Sequence, residues 1–186
     1  MTGHDPIFVG NPDGAARNRE LPYHPPFVRF LTEELLPWVR GRYRVTSDPT
    51  RTVVGGASFG GLAAAYAALE RPDVFGNVLS QSGSYWWSPA GDPECEWLTR
   101  RYGAQAPVPV RFSLEVGLLE DRFVRSAGCL GDPGQLRATR RLRAVLRAKG
   151  YAVRYAEFCG GHHFLCWRGT LADGLLALLG PAGQAG

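Results

Sequence analysis

Five residues, Gly56-Ala57-Ser58-Phe59-Gly60, restrict what this chain can become more than any other feature. They stand between a β-branched run, Arg51-Thr52-Val53-Val54-Gly55-Gly56, and an Ala-rich stretch from Gly60 to Glu70 that stops before Pro72. A G-x-S-x-G between a strand and a helix is the pattern of a nucleophile elbow. The serine sits in a strained turn, and small flanking residues let the strand and helix backbones approach. The following helix aims its N-terminal N–H groups at the reacting carbonyl, so the Phe59 amide is the expected oxyanion donor. The plain alternative is a glycine-rich turn carrying an ordinary serine.

Around the pentapeptide, short apolar runs alternate with helical patterns, which predicts an α/β sheet with helical crossovers. Ile7–Gly10 reads as a strand followed by a turn at Asn11-Pro12-Asp13-Gly14. Phe27, Leu31, Leu35 and Trp38 recur at helical spacing after Pro25-Pro26, and Pro37 should kink or end that helix near Gly41. Asn77–Gln81 reads as the next strand. Val108, Val110, Phe112, Leu114 and Val116 alternate with polar residues or Pro109, a strand of period two. Leu136, Leu142, Val145 and Leu146 mark a helix face, Tyr151–Phe158 a strand, and Trp167, Leu171, Leu175 and Leu178 the face of a last helix. The tail Pro181–Gly186 is expected to fray.

A chain of 186 residues with 45% hydrophobic and 20% charged residues can pack one domain, hardly two, and is not disordered. No apolar run is long enough to span a membrane, and Met1–Pro6 has no leader pattern, so a cytoplasmic protein is expected. Cys95, Cys129, Cys159 and Cys166 are too scattered for a disulfide scaffold and read as reduced thiols. The net charge is +4, yet Lys149 is the one lysine among 21 basic residues. That bias points to codon composition rather than to a binding code. Arg137, Arg140, Arg141, Arg143 and Arg147 read as a solvated helix face, since no aromatic residues interleave them as a nucleic-acid platform would require.

A serine nucleophile needs a base. Of four histidines only His162 and His163 follow Ser58, and Gly160-Gly161-His162 comes directly after a predicted strand. His162 is the expected base and His163 its neighbour. An orienting carboxylate belongs in the loop after the period-two strand, where Glu120 and Asp121 follow Gly117-Leu118-Leu119. Glu120 is preferred over Asp121. Glu115 lies inside the strand and reads as a strand residue. Cys159, His162, His163 and Cys166 imitate a zinc set, but four ligands in so short a loop would strain a tetrahedral site, so no metal is expected.

Ser80-Gln81-Ser82-Gly83-Ser84-Tyr85-Trp86-Trp87 after the elbow is unusual. Together with Gly56–Leu62 and Gly160-Gly161-His162…Leu165-Cys166-Trp167-Arg168-Gly169, it closely resembles the enterochelin (ferric enterobactin) esterases, in the esterase-D-like branch of the α/β-hydrolases. Arg19-Glu20-Leu21 and Leu35-Leu36-Pro37-Trp38 add to the likeness, which runs from about Ile7 to Leu179. The resemblance implies a serine esterase that opens the ester bonds of a catecholate trilactone siderophore and releases its iron inside the cell. Carried over by position, Ser58 is the nucleophile and His162 the base, and Gly117-x-x-Glu120 is the nearest match to a less uniform acid position. A ferric tris-catecholate is anionic and aromatic, which suits Trp86 and Trp87 for stacking and Arg168 with Arg17 or Arg19 for charge. Core packing is the alternative for the two tryptophans.

The resemblance also implies a single α/β-hydrolase domain over 1–186, with a mainly parallel sheet of about five strands and flanking helices, no cofactor, and a monomer acting on a small ester. Relatives carry an N-terminal domain and earlier strands. The chain is therefore expected to be N-terminally truncated, lacking the first strands and the loop that supplies the second oxyanion amide. Two other functions stay open: a general carboxylesterase or acyltransferase, and a non-catalytic remnant that binds a ligand or partner.

Overall fold

The computed structural model describes residues 20–120 and 133–180. The expected strand Ile7–Gly10 and its turn, Arg17, Arg19, Asp121, Cys129 and the tail Pro181–Gly186 lie outside the described residues.

Helix α1 (Pro25–Arg29) runs through a π-helical stretch, Phe30–Leu35, into α2 (Leu36–Arg40). The helix does end next to Gly41, as its pattern predicts, but Pro37 sits inside the final segment rather than breaking it. Pro37 is at the start of that segment, where a missing N–H is tolerated. Four parallel strands then alternate with helices: β1 (Val53–Ala57), α3 (Phe59–Glu70), β2 (Asn77–Gln81), α4 (Trp97–Ala104), β3 (Arg111–Gly117), α5 (Gly134–Ala148), β4 (Val153–Phe158) and α6 (Phe164–Leu179). The sheet order is β1-β2-β3-β4. Parallel neighbours require crossovers, and α3 supplies the one between β1 and β2. Among the described residues β1 pairs with β2 alone, so it forms an edge of the sheet.

The main core lies between the sheet and α3, α4 and α5. Tyr102, Phe112 and Tyr151 meet there edge to face, with centroids 5.6–5.7 Å apart. The Tyr102 hydroxyl donates to Ala65 O at 2.7 Å, and burial pushes its pKa well up. The other face of the sheet is covered by α6.

Three expectations about pattern are corrected. Helix α4 has no counterpart in the periodicity reading. Strand β3 begins at Arg111, not Val108, because Pro109 cannot donate to a ladder, and it is buried on both faces instead of alternating. Its polar residues, Ser113 and Glu115, point under α6 rather than to water. On α6 the buried positions are Gly174 and Leu178, while Leu171 and Leu175 are exposed. A Cβ on Gly174 would lie 2.3 Å from Leu79 Cδ1, so the helix seats its smallest residue, not its leucines, on the sheet.

The reduced-thiol expectation holds for Cys159 and Cys166, which are free. It fails for Cys95, which is disulfide-bonded. The arginines of α5 are surface residues with protein partners: Arg140 makes two hydrogen bonds to Glu157 at 2.8 Å, Arg141 pairs with Glu96 at 2.6 Å, and Arg143 lies over the Tyr155 ring. The Arg140 pair holds the Glu157 carboxyl down at about 2. Among the described residues no helix is long and apolar enough to cross a membrane.

Candidate active site

Parallel strands put all their carboxyl ends on one edge, and that is where ligands bind in such sheets. The residues that follow the four ends are Ser58, Ser82, Glu120 and His162.

Ser58 leaves β1 with φ 58° and ψ −124° and enters α3 at once. A non-glycine residue held there stores on the order of 1–3 kcal/mol, so the surroundings must enforce it. They do. Ser58 N donates to Gln81 O at 2.9 Å, and Ser58 O accepts from the N–H groups of Gly61, Leu62 and Ser84 at 3.0–3.2 Å. A Cβ on Gly56 would come within 2.7 Å of the Gly60 carbonyl carbon, so strand and helix could not meet this closely with any other residue. The Phe59 N–H opens α3 and has no acceptor within the helix. The Ser58 hydroxyl lies 3.4 Å from Ser84 Oγ, and among the described residues it forms no hydrogen bond with His162.

Beyond β3 the chain turns tightly, with Leu118 N bonded to Phe158 O at 2.9 Å and Leu119 N to Gly160 O at 3.0 Å. The turn delivers Glu120 into the interior at 0% exposure. Its Oε1 accepts from Gly117 N at 2.7 Å and Ser82 Oγ at 2.6 Å. Its Oε2 lies 2.8 Å from His162 Nδ1. With the carboxylate as acceptor, Nδ1 carries the proton and Nε2 keeps its lone pair. The His162 ring stands edge-on to Trp167, centroids 4.8 Å apart.

The other carboxylate and histidine are engaged elsewhere. Glu115 Oε1 accepts from Gln81 Nε2 at 2.7 Å and from the Thr170 hydroxyl. Its Oε2 is buried without a partner, and burial pushes its pKa up. His163 caps α6, its Nδ1 accepting from Leu165 N at 3.2 Å. The two imidazoles thus face different partners, and among the described residues no group of three His, Cys, Asp or Glu is arranged to hold a metal ion.

Of the proposed substrate contacts, Trp86 is half-buried, packs on Phe59 at 5.7 Å, and donates its indole N–H to Gln135 Oε1 at 2.7 Å. Trp87 packs on Trp97 at 6.3 Å, so packing describes it better than an open stacking face. Arg168 is exposed on α6 and has no ion pair among the described residues. In the sequence Ser82 and Ser84 stand out only as part of the Ser-Gln-Ser-Gly-Ser run at the end of β2, and Trp167 stands out as part of an apolar helix face; nothing local marks Gln135.

A parallel sheet with a serine elbow on one carboxyl-end loop, and a carboxylate and histidine on two later ones, is an α/β-hydrolase fold. The chain belongs to the Esterase family, whose model matches residues 4–178. It is similar to the iron(III) enterobactin esterase of Dickeya dadantii, 38% identical over 193 aligned positions that cover 95% of this chain and 41% of that protein. The iron(III) enterobactin esterase of Escherichia coli K12 is also 38% identical, covering 94% of this chain and 41% of its own length. The crystal structure of the Shigella flexneri enterobactin esterase in the presence of enterobactin superposes with a TM-score of 0.76 at 37% identity, over 90% of this chain and 40% of that one. The chain thus spans about two fifths of the length of these relatives.

Proposed function

We propose that this chain is a serine esterase acting on a catecholate trilactone siderophore of the ferric enterobactin kind. The observation that carries the reading is the 2.8 Å contact between a fully buried Glu120 and His162, on the same sheet edge as the strained Ser58.

In this mechanism Ser58 Oγ attacks the ester carbonyl carbon while His162 Nε2 takes the hydroxyl proton. Glu120 holds the imidazole in the tautomer that can do so and stabilises the imidazolium. The Phe59 N–H donates to the oxyanion of the tetrahedral intermediate. Collapse breaks the bond to the leaving alkoxide, which receives the proton from His162. The acyl group is left on Ser58. Water then attacks this ester, His162 again acting as base, and a carboxylic acid leaves with Ser58 restored. Exposed Arg168 supplies positive charge for an anionic catecholate, and Trp86, beside Phe59, supplies an aromatic surface. The ferric ion is cargo of the substrate.

A cytoplasmic setting belongs to the same reading. The free Cys159 and Cys166 favour it, while the Cys95 disulfide weighs against it, because such bonds are uncommon in a reducing compartment.

The test is turnover of the cyclic trilactone siderophore, with and without iron, beside a panel of simple aryl esters. The trilactone should give the highest kcat/KM, and Ser58→Ala should remove turnover by roughly five or more orders of magnitude while leaving the fold intact. Equal turnover by the Ser58→Ala protein would overturn the mechanism. A simple aryl ester hydrolysed faster than the trilactone would overturn the substrate.

A further inference from the structure

Ser82 is the first residue beyond β2. It is fully buried and sits at φ 50°, in the left-handed region that a serine adopts only under constraint. Its hydroxyl accepts from Trp167 Nε1 at 2.9 Å and contacts Glu120 Oε1 at 2.6 Å. An indole N–H can only donate and a carboxylate can only accept, so the hydroxyl proton is committed to Glu120. The backbone around it is pinned as well. Ser82 N donates to Glu115 O at 2.8 Å. The side-chain amide of Gln135, from α5, donates to both Ser82 O and Gly83 O. Two residues on, Ser84 N donates to Ser58 O at 3.1 Å. One short turn therefore touches the acid at one end and the elbow at the other.

Resting on the reading of Ser58, His162 and Glu120 given above, we infer that Ser82 is a positioning residue for the acid. Its hydroxyl, oriented by Trp167, fixes the Glu120 carboxylate so that Oε2 is presented to His162 Nδ1. Among the described residues Glu120 Oε1 has two donors. Without the Ser82 hydroxyl, Gly117 N is the one of these that remains, the carboxylate is held less tightly about its last torsion, and the Trp167 N–H loses its acceptor. The consequence falls on the orientation of His162, hence on the chemical step, and not on substrate affinity.

The experiment measures kcat and KM on an aryl ester, together with the rate at which a fluorophosphonate labels Ser58. The proteins compared are the wild type, Ser82→Ala, Ser82→Gly, Trp167→Phe, Glu120→Gln and the Ser82→Ala/Glu120→Gln double variant. Ser82→Ala should lower kcat and the labelling rate by about 10- to 100-fold, the usual size when an outer partner of an oriented side chain is lost, with KM unchanged. Ser82→Gly removes the same hydroxyl but suits the left-handed backbone, so it reports on the hydroxyl even if the alanine variant folds poorly. Trp167→Phe should give a smaller loss of the same kind, because the ring against His162 is kept. In the Glu120→Gln background Ser82→Ala should add nothing, since it acts through that carboxylate. Losses that multiply in the double variant, a raised KM with unchanged kcat, or wild-type labelling of Ser82→Gly would each overturn the inference. A wild-type Ser58 that takes no label at all would overturn the proposed mechanism and this inference with it. Labelling of wild type and Ser82→Gly at equal rates overturns the inference alone.

Discussion

Strands β3 and β1 contribute to the same site from opposite circumstances. Strand β3 is paired on both sides and buried on both faces, with even its glutamate hydrogen-bonded inside. Among the described residues strand β1 pairs with β2 alone; it is half-buried and exposes Gly55. Apolar residues of α6 stay exposed as well, Leu165 and Leu176 each at 65%. The acid is therefore held by the interior of the protein, through Gly117 and Ser82. The serine is held by its own turn, through hydrogen bonds to β2 and the loop after it. Pre-organisation of one half of the site comes from burial, and of the other half from backbone strain enforced locally.

Replacing the residues that the β3 side fixes should have the largest effects. His162→Ala should lower kcat by about 100-fold or more. His163→Ala should change kcat little and lower the melting temperature slightly, because it removes only the cap of α6. Steady-state kinetics on one ester decide this, and a reversed order would move the base to His163.

A matched pair of glycines sharpens the contrast. A Cβ on Gly117 would lie 2.4 Å from Gly160 O and 2.7 Å from Glu120 Oε1, whereas one on Gly55 would meet Leu79 Cβ at 3.1 Å. Gly117→Ala should cost about 1–3 kcal/mol and reduce turnover. Gly55→Ala should be near neutral, since reduced freedom of the unfolded chain offsets the tight contact. Denaturant titrations measure both. Equal losses would mean that the edge strand is as rigidly packed as the central one.

The smallest effect concerns Glu115. Its folded pKa is raised, chiefly by burial, with Asp173 adding to the rise and the Thr170 and Gln81 hydrogen bonds and Arg154 opposing it. The folded state thus keeps a proton that the unfolded state releases near the ordinary carboxylate pKa of about 4.3. The stability that this proton confers is complete below that pH and is lost as pH rises through the folded value. Glu115→Gln keeps the acceptor and removes the charge, so its melting temperature should equal or exceed the wild type's by about 2–4 °C at pH 8. A parallel fall in both proteins as pH rises would assign the dependence to other groups.

Much of this architecture can be read from local patterns. The elbow, β2, α5 and β4 announce themselves through glycines at turns and apolar spacing. The pairing of His162 with Glu120 is anticipated by chain order, since both follow consecutive strands of a parallel sheet. Helix α4 was hidden by its eight-residue length and by Arg100 and Arg101 among its apolar positions. The burial of Ser113 and Glu115 was hidden because the α6 residues that cover them are more than fifty residues on, and their hydrogen-bond partners Gln81, Arg154 and Thr170 are 34, 41 and 55 residues away. Ser82 was hidden for the same reason: its hydroxyl partners lie 38 and 85 residues off, and no local period encodes them.

The turn between α5 and β4 holds Lys149, next to Gly150 at φ 85°. It precedes a strand whose far end leads to His162, so it lies at the rim of the sheet opposite the serine. Because no other lysine exists in the sequence, the side-chain amine for succinimide dyes, aldehyde resins or crosslinkers is one defined point. Attachment through that side chain would leave the edge that carries Ser58, Glu120 and His162 turned away from the support.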